Sequence, residues 1–519
     1  MLFKHFNIKP LKTCLLFAFF HALLFNSTTY YYHDNATHIN ITNLLQYISY
    51  NTALLLVIFY GLSVHRIIFI SGAIALFIFS SLASYYLFFF SVVPNISVIA
   101  SIFNTDMMES SELVSAKLLL WVAFCVIICL ILIYRNFSNL QHKNVLSRTL
   151  SLICLILFTI NIINPYKERI KNQLPFTYLH NTYLYLKKSS QTILRTNIND
   201  KFSFSDTQTD ILGVLIIGES ARYDHFSING YERLTTPLLS KLDNLVSFKA
   251  RSCASNTADS VPCMISRYGE DEFELIDSES SLFPALNNLG YQTIWIGNQS
   301  IAKHLSQQSR SLHGNVYDDL TTVITPDMFP HIKYHALDRN LLPYLENSLS
   351  DKHKKFITLH TSGSHWNYAK RYDDEFAKFR PHILNDSIRQ KDASNCSHDE
   401  LVNSYDNSIY YTDSFIHEVI ERVKDRVSFV IYSSDHGESL GENGCFFHSS
   451  EEDIKEQREV PFIIWVSEKY KKAYPQKWLA IKEAQDNFIS HDHLYHTILG
   501  CLGIESDSLK PHLDLSDKQ

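Results

Sequence analysis

Five long apolar stretches occupy the first third of the chain, and each is long enough, or nearly so, to cross a bilayer as a helix. The hydrocarbon core of a bilayer needs about 20 helical residues. The stretches run approximately over Leu11–Tyr30, Leu44–Leu62, Ile67–Phe90, Leu118–Tyr134 and Leu150–Pro165. The first is not a typical cleavable signal peptide, because no small-residue cleavage site follows it and four more spans come behind it. The sequence therefore predicts a membrane domain of five helices over residues 1–165.

The two parts of the chain differ in charge. The 519 residues include 46 Lys and Arg against 53 Asp and Glu, a formal net charge of −7. Residues 1–165 hold only 8 basic and 4 acidic side chains, so the remaining residues carry a net charge of −11. This division is typical of a membrane part followed by an ordinary soluble domain. Because no basic stripe exists to neutralise a phosphate backbone, we expect no nucleic-acid partner.

The basic residues of the membrane part predict its orientation. Seven of them lie before the first span and in the second and fourth connections: Lys4, Lys9, Lys12, Arg66, Arg135, Lys143 and Arg148. The third connection has only Lys117, beside the start of the fourth span. The first connection, Thr29–Asn43, has no Lys or Arg. Because basic residues favour the cytoplasmic side, the N-terminus is predicted to lie inside and everything after the fifth span outside.

Residues 166–209 are polar, rich in aromatic residues and compatible with a helix. One interpretation is an amphipathic connector on the membrane surface, with its basic residues toward the lipid headgroups. A plain linker is the other interpretation, and the sequence does not decide between them.

Short apolar runs after residue 210 predict strands that are buried on both faces. These runs are Ile211–Ile217, Thr293–Ile296, Lys355–Leu359, Ser428–Tyr432 and Val460–Val466. They alternate with helix-like segments such as Leu401–Lys424, so residues 210–519 are predicted to form a mostly parallel sheet covered by helices. In such a sheet, polar residues just past the strand ends meet at one edge.

Side chains of the types that commonly bind metal ions follow three of these strands. They are Glu219 in Gly-Glu-Ser-Ala-Arg, His360 and His365 in His-Thr-Ser-Gly-Ser-His, and Asp435 and His436 in Ser-Asp-His-Gly-Glu-Ser. Mixed carboxylate and imidazole donors suit a catalytic cation of zinc character. Taken singly, Glu219 could equally be a helix cap, and His360 and His365 could be core or surface histidines. The prediction of a metal site rests on their convergence.

A segment of small residues that includes three hydroxyl side chains, Ser252–Thr257, precedes a helix-like segment between the first and later strands. A hydroxyl at a helix N-terminus lies where backbone amides and the helix dipole favour negative charge. Such a hydroxyl, bound to a metal ion, becomes a usable nucleophile for phosphoryl transfer. An ordinary Ser or Thr helix cap is the alternative.

Four motifs follow one another in a distinctive order: Gly-Glu-Ser-Ala-Arg, a Cys-x9-Cys segment enclosing Asn-Thr-Ala-x-Ser-Val-Pro, Gly-Ser-His, and Ser-Asp-His-Gly-Glu-Ser-Leu-Gly-Glu-Asn-Gly-x-x-x-His. Together they resemble the bacterial phosphoethanolamine transferases that modify lipopolysaccharide. That family includes the lipid A enzymes and the mobile colistin-resistance enzymes, and it belongs to the alkaline phosphatase and sulfatase superfamily. The resemblance covers essentially the whole chain. It implies a multi-pass protein of the bacterial inner membrane with an α/β/α catalytic domain in the periplasm.

The resemblance also implies roles for individual residues. It makes Thr257 the nucleophile that accepts phosphoethanolamine. The ligands that it implies for the catalytic Zn²⁺ are Glu219, Thr257, Asp435 and His436. The substrate-binding residues that it implies are His365, His448, Lys303, Asn104, Thr105 and Glu109. For His365 and His448, binding of a second, loosely held zinc ion is the alternative.

The implied reaction is a double displacement between two lipids. Thr257 attacks phosphatidylethanolamine, diacylglycerol leaves, and an oxygen of lipid A or another lipopolysaccharide group attacks the phosphothreonine. Trp366 and Asn367 stand where lipid A enzymes commonly have Gly-Pro, so a core sugar such as Kdo or heptose is an alternative acceptor. With a lipid A phosphate as acceptor, we expect weaker binding of polymyxin to the cell. We expect the protein to be a monomer.

Cys253 and Cys263 flank the expected nucleophile, and outside the cytoplasm they are predicted to form a disulfide. Zinc ligation by these two residues is the rival interpretation. Cys396, Cys445 and Cys501 leave an odd set without a predicted pairing. A transferase of the lipoteichoic-acid type, which moves glycerol phosphate, is the nearest enzymatic alternative, and a non-catalytic membrane sensor or scaffold is an alternative of another class.

Overall fold

The computed structural model describes residues 8–33, 40–104, 107–140, 145–164, 168–190, 196, 198, 200–205, 210–299, 320–326, 336–351, 353–384, 390, 392–450 and 453–517. Only the backbone is described at residues 8, 32, 33, 104, 107–109, 168, 169 and 277. The chain divides into two compact units. The first comprises Met1–Phe103, Leu113–Ser190 and Gly441–Phe446, and the second comprises Asn104–Glu112, Gln191–Leu440 and Phe447–Gln519.

The first unit contains five helices that are long and apolar enough to cross a membrane, as predicted. They are Lys9–Tyr31, Ile41–Leu62, Arg66–Phe90, Ala116–Asn139 and Val145–Ile163. The first is an α-helix, Ile8–His21, that continues through a π-helical turn into the helix Ser27–His33. Two shorter helices, Ile96–Asn104 and Met107–Leu113, lie between the third and fourth spans in sequence.

Two helices, Glu168–Lys171 and Phe176–Ser190, form within the segment predicted as a connector. The longer one groups with the membrane helices. The Tyr178 hydroxyl lies 3.2 Å from Oγ of Ser80, and Asn181 donates a hydrogen bond to the Pro94 carbonyl. Attachment of this segment to the membrane surface stays a prediction.

The second unit is built on a mixed sheet. The strands of the described residues, numbered in chain order, are β1 Phe202–Phe204, β2 Leu212–Gly218, β3 Leu245–Arg251, β4 Gln292–Gly297, β5 Thr322–Ile324, β6 Lys355–His360, β7 Ser428–Ser434, β8 Ser439–Leu440, β9 Phe446–Phe447, β10 Glu459–Val466, β11 Ile489–Ser490 and β12 Ile504–Ser506. Eight of them form one sheet in the order β11-β3-β10-β7-β2-β6-β4-β5. The run from β7 to β5 is parallel, whereas β10 is antiparallel to both of its neighbours. The five predicted strands are confirmed as β2, β4, β6, β7 and β10.

Helices accompany this sheet. They are Thr257–Met264, Leu282–Asn288, Leu342–Ser348, His398–Val423, Lys455–Arg458, Glu468–Ala473, Pro475–Glu483 and Asp492–Cys501. The long helix His398–Val423 begins at a capping box, in which Ser397 and Glu400 satisfy each other's backbone amides. The predicted fold class, five membrane helices followed by an α/β domain, is confirmed.

Candidate metal centre and active site

Three buried side chains converge where β2 and β7 end side by side. Gly218 pairs with Ser434 across the parallel ladder, so the residues that follow them emerge at the same edge. Glu219, Asp435 and His436 each offer a ligand atom, and these atoms lie within 4.8 Å of one another. All three side chains are buried. The convergence predicted at this edge is therefore present for Glu219, Asp435 and His436. His360, the last residue of β6, does not belong to this group of described residues, and its ring is centred 5.6 Å from that of Trp295.

Thr257 joins this cluster from the side. It is the first residue of the helix Thr257–Met264, which Asn256 caps by accepting a hydrogen bond from the Asp259 amide at 3.0 Å. Oγ1 of Thr257 donates to Oε2 of Glu219 at 3.1 Å and lies 3.3 Å from Nε2 of His436. The four residues expected around the zinc ion thus lie together in the structure.

The donor set fits a divalent cation. Nδ1 of His436 lies 2.8 Å from the Gly437 carbonyl oxygen, so it carries the proton and leaves Nε2 facing the two carboxylates. Oδ1 of Asp435 accepts hydrogen bonds from two backbone amides. Oδ2 of Asp435 is buried without a hydrogen-bond partner among the described residues. A buried carboxylate oxygen beside an imidazole nitrogen and a second carboxylate is a ligand set suited to zinc.

The electrostatics of the cluster lead to the same conclusion. Burial and the nearby Glu219 raise the pKa of Asp435 to about 7. Burial opposes the charged form of His436, but the two carboxylates raise the pKa of its imidazole to about 10. Burial likewise opposes ionisation of Glu219, yet the neighbouring His436 holds the pKa of that carboxyl well below its usual value. The two carboxylates thus require a positive charge, which a divalent cation would supply in place of the imidazole proton.

Two further histidines lie beside this cluster. The ring of His448 is centred 4.3 Å from that of His436 and 5.5 Å from that of His365. Nδ1 of His448 lies 2.8 Å from Oε2 of the buried Glu438, whose other oxygen accepts a hydrogen bond from the Tyr368 hydroxyl. The carboxylate selects the tautomer of His448 in which Nε2 is available to a ligand. His436, Glu438 and His448 form a second group with metal-ligand spacing.

Gly363 brings the loop after β6 against the loop after β2. It has a φ of +43°, and a Cβ at this position would lie 2.6 Å from the backbone oxygen of Glu219. The amide of Ser364 donates to the same oxygen at 2.8 Å. Only glycine fits this approach, because any other side chain would clash with backbone and disfavour the left-handed conformation. The contact fixes the start of the turn that carries His365.

Three residues at the site escaped the sequence analysis. Gln299 donates a hydrogen bond to Oε2 of Glu219 at 3.1 Å. Because Gln299 follows the end of β4, the strand-end reasoning used above could have found it. Glu438 lies inside the Asp-His-Gly-Glu motif, but only the fold reveals its pairing with His448.

His491 is the third site residue that the sequence analysis did not identify, and it belongs to none of the four motifs. It is fully buried, with Nε2 2.9 Å from the Ser434 carbonyl oxygen and Nδ1 accepting from the Cys253 amide at 3.2 Å. Burial lowers the pKa of His491 to about 3, so the ring is neutral. His491 follows β11, a two-residue strand too short to predict, and it ties the loop that precedes Thr257 to the end of β7.

Several predicted substrate-binding residues cannot be compared with this geometry. Lys303 and Thr105 lie outside the described residues. At Asn104 and Glu109 the described structure is limited to the backbone, so their side chains also lie outside it. A role for these four residues stays a prediction.

The predicted disulfide is present. Cys253 and Cys263 are bonded, with their Cα atoms 6.4 Å apart, and they close the loop that contains Thr257. A disulfide sulfur is not a thiolate, so this pair does not offer the zinc ligands of the rival interpretation. Within the described ranges it is the single disulfide.

The strand order, the buried metal-ligand cluster at the sheet edge and the hydroxyl at a helix N-terminus define a sulfatase-type α/β domain. Residues 212–504 match the Sulfatase family model, and residues 52–190 match the model "Phosphoethanolamine transferase EptA/EptB". The chain belongs to the family of membrane-bound phosphoethanolamine transferases, as the resemblance predicted. It is therefore an enzyme of the inner membrane, with its soluble domain in the periplasm.

Known relatives match over most of the chain. The Kdo(2)-lipid A phosphoethanolamine 7''-transferase of Escherichia coli K12 is 30% identical over 83% of this chain and 81% of its own. Phosphoethanolamine transferase EptA of the same organism is 30% identical over 82% and 81%. The integral membrane EptA from Neisseria meningitidis has the same fold, with a TM-score of 0.80, 24% identity and coverage of 97% and 98%. The C-terminal periplasmic domain of EptC from Campylobacter jejuni is 31% identical, with a TM-score of 0.53 and coverage of 62% and 98%.

Proposed function

We propose that this chain transfers phosphoethanolamine from phosphatidylethanolamine to lipid A or another group of lipopolysaccharide, in a zinc-dependent reaction through a phosphothreonine. The observation that carries this proposal is the contact of Oγ1 of Thr257 with both Glu219 and His436. A threonine hydroxyl among buried metal-ligand side chains is arranged as a nucleophile rather than as a helix cap. The cap of this helix is supplied by Asn256 instead.

Glu219, Thr257, Asp435 and His436 would hold one zinc ion. Bound there, zinc would make the Thr257 hydroxyl a stronger nucleophile and offset the charge of the phosphoryl oxygens. The chain itself orients this hydroxyl through the hydrogen bond to Oε2 of Glu219. The disulfide Cys253–Cys263 restrains the loop on which the hydroxyl lies.

The two displacements share one oxygen, Oγ1 of Thr257, which is the nucleophile in the first and the leaving group in the second. In the first, Oγ1 of Thr257 loses its proton and bonds to the phosphorus, while the bond to the glyceryl oxygen breaks and diacylglycerol leaves with a proton. In the second, an acceptor oxygen loses its proton and bonds to the same phosphorus, and Oγ1 leaves and is protonated again. His365 and His448 lie beside the cluster and would contact the phosphoryl oxygens, or hold a second zinc ion together with Glu438.

Lipid A phosphate is the first candidate acceptor, because the motifs of the chain resemble those of the lipid A enzymes. A Kdo sugar is the second candidate. The Escherichia coli relative named above for Kdo(2)-lipid A matches most of the chain. Trp366 and Asn367, which depart from the lipid A enzymes directly after His365, are both buried, and Trp366 packs against the rings of Tyr368 and Phe447. The segment directly after His365 therefore differs in shape from a Gly-Pro turn.

Mass spectrometry of lipopolysaccharide from cells that express the full chain tests the proposal. Cells with the wild type should gain the mass of one phosphoethanolamine group, and cells with Thr257→Ala should not. Thr257→Ser, which keeps a hydroxyl, is the matched control and should retain part of the modification. Fragmentation assigns the added group to a lipid A phosphate or to Kdo. An unchanged set of lipids and glycans in wild-type cells would refute the proposal.

A further inference from the structure

The turn that carries His365 is fastened by a cluster of charges centred on Glu112. Glu112 belongs to the helix Met107–Leu113, which lies between the third and fourth membrane spans in sequence, and the segment Asn104–Glu112 groups with the soluble unit. Only 1% of its side chain is exposed. A carboxylate so buried must be paired to be tolerated, and its partners come from one short segment, residues 367–371.

The pairing uses both oxygens of the carboxylate. Oε2 lies 2.8 Å from Nη2 of Arg371 and accepts a hydrogen bond from the Asn367 amide at 3.1 Å. Oε1 lies 2.9 Å from Nζ of Lys370. Burial opposes the charge, but Arg371 and Lys370 hold the pKa of Glu112 below its usual value. Glu112 is therefore an anion at neutral pH and fixes the position of the Arg371 guanidinium.

Arg371, held in this way by Glu112, donates hydrogen bonds to the backbone around His365. Its side chain is 2% exposed. Nε donates to the His365 carbonyl oxygen at 3.0 Å, and Nη2 donates to the Trp366 carbonyl oxygen at 3.1 Å. The same Trp366 oxygen lies 2.6 Å from Nδ1 of the His365 ring. One guanidinium thus determines both where the turn lies and which carbonyl orients the imidazole.

We propose that Glu112 is a positioning residue for His365 and acts through Arg371. For its activity readout, this inference rests on the proposed function. Glu112 itself contacts protein groups, in contrast to Asn104, Thr105 and Glu109 of the same connection, which were predicted to contact substrate. Loss of the carboxylate would release the guanidinium and let the His365 turn shift. Misplacement by about 1 Å at an active site can cost about a hundredfold in rate.

The test uses the full-length protein in detergent with Glu112→Gln and Arg371→Lys. Arg371→Lys keeps the positive charge beside Glu112 but cannot reproduce the planar donors to both carbonyls. Glu279→Gln is the control, because it breaks a second, less buried carboxylate–arginine pair, with Arg267, that does not hold the His365 turn. Two quantities are measured: kcat and KM for phosphoethanolamine transfer, and the rate at which diethyl pyrocarbonate labels His365, read by peptide mass spectrometry.

We expect both variants to lower kcat by about tenfold or more and to label His365 several-fold faster, whereas Glu279→Gln changes neither. Labelling of His365 at the wild-type rate in Glu112→Gln and Arg371→Lys would overturn the inference. The inference would also be overturned if kcat in the two variants fell only in proportion to their loss of folded protein, with Glu279→Gln measured in the same way for comparison. A wild type that transfers no phosphoethanolamine would refute the proposed function alone, since His365 labelling still decides the role of Glu112.

Discussion

Removal of the disulfide beside the proposed nucleophile should weaken the soluble domain without removing the zinc ion that it is proposed to bind. Cys253 and Cys263 are 10 residues apart in sequence. By chain entropy, opening a loop of about 10 residues costs about 2.7 kcal/mol at 25 °C. A domain of about 300 residues unfolds with an entropy of about 0.6 kcal/mol/K, so the melting temperature of the double variant Cys253→Ser/Cys263→Ser should fall by about 4 °C.

Two measurements on the same preparation check this prediction. Thermal unfolding followed by circular dichroism gives the melting temperature, and elemental analysis gives the zinc content per chain. Cys396→Ser, a substitution outside the disulfide, controls for the chemical change, and wild type treated with a reductant should reproduce the double variant. The reasoning is refuted if zinc is lost from the double variant while its melting temperature stays that of the wild type, because the two cysteines would then act as metal ligands.

Three further outcomes are expected. Gln299→Ala, which removes a hydrogen bond to a metal ligand, should weaken zinc binding by about 10–100-fold in a competition titration, and Glu219→Gln should weaken it more; equal losses would contradict the assignment of Glu219 as a ligand. Gly363→Ala should lower the free energy of unfolding by about 1–3 kcal/mol in a denaturant titration, because its Cβ would meet the Glu219 backbone; an unchanged midpoint would contradict this. Burial raises the pKa of Asp413 from 3.8 to about 7, so between these pH values the folded state holds a proton that the unfolded state has lost. The free energy of unfolding should therefore fall as the pH rises through this window, and Asp413→Asn should remove that part of the pH dependence. Identical profiles of stability against pH in the wild type and in Asp413→Asn would contradict this prediction.

The fold could be predicted wherever a single element carries a strong apolar pattern of its own. The five spans and the strands β2, β6 and β7 are centred on apolar runs, which identify segments removed from water without knowledge of their neighbours. The strand β3 was missed although buried positions alternate along it with less buried ones. A pattern of only seven residues is difficult to distinguish from that of a loop. β5 and β11 are too short to carry a pattern at all.

The candidate site divides in the same way. Glu219, Asp435 and His436 could be predicted because each directly follows a recognisable strand. His491 and Glu112 could not, since their roles depend on partners more than 50 and 250 residues away in sequence, Ser434 and Arg371. Such pairings arise from tertiary structure alone, and no local spacing encodes them.

The close approach of Gly363 to Glu219 also limits how this chain can evolve. A mutation of the Gly363 codon that changes the amino acid adds a side chain where the metal-binding loop already lies, so heritable change in acceptor preference must arise elsewhere. Asn367 has more of that freedom than Gly363, because Glu112 contacts it through the backbone amide, which every residue except proline supplies, and its side chain accepts a local hydrogen bond from the Ala369 amide. A population selected for a new acceptor would then accumulate substitutions just beyond His365 while glycine persists at 363.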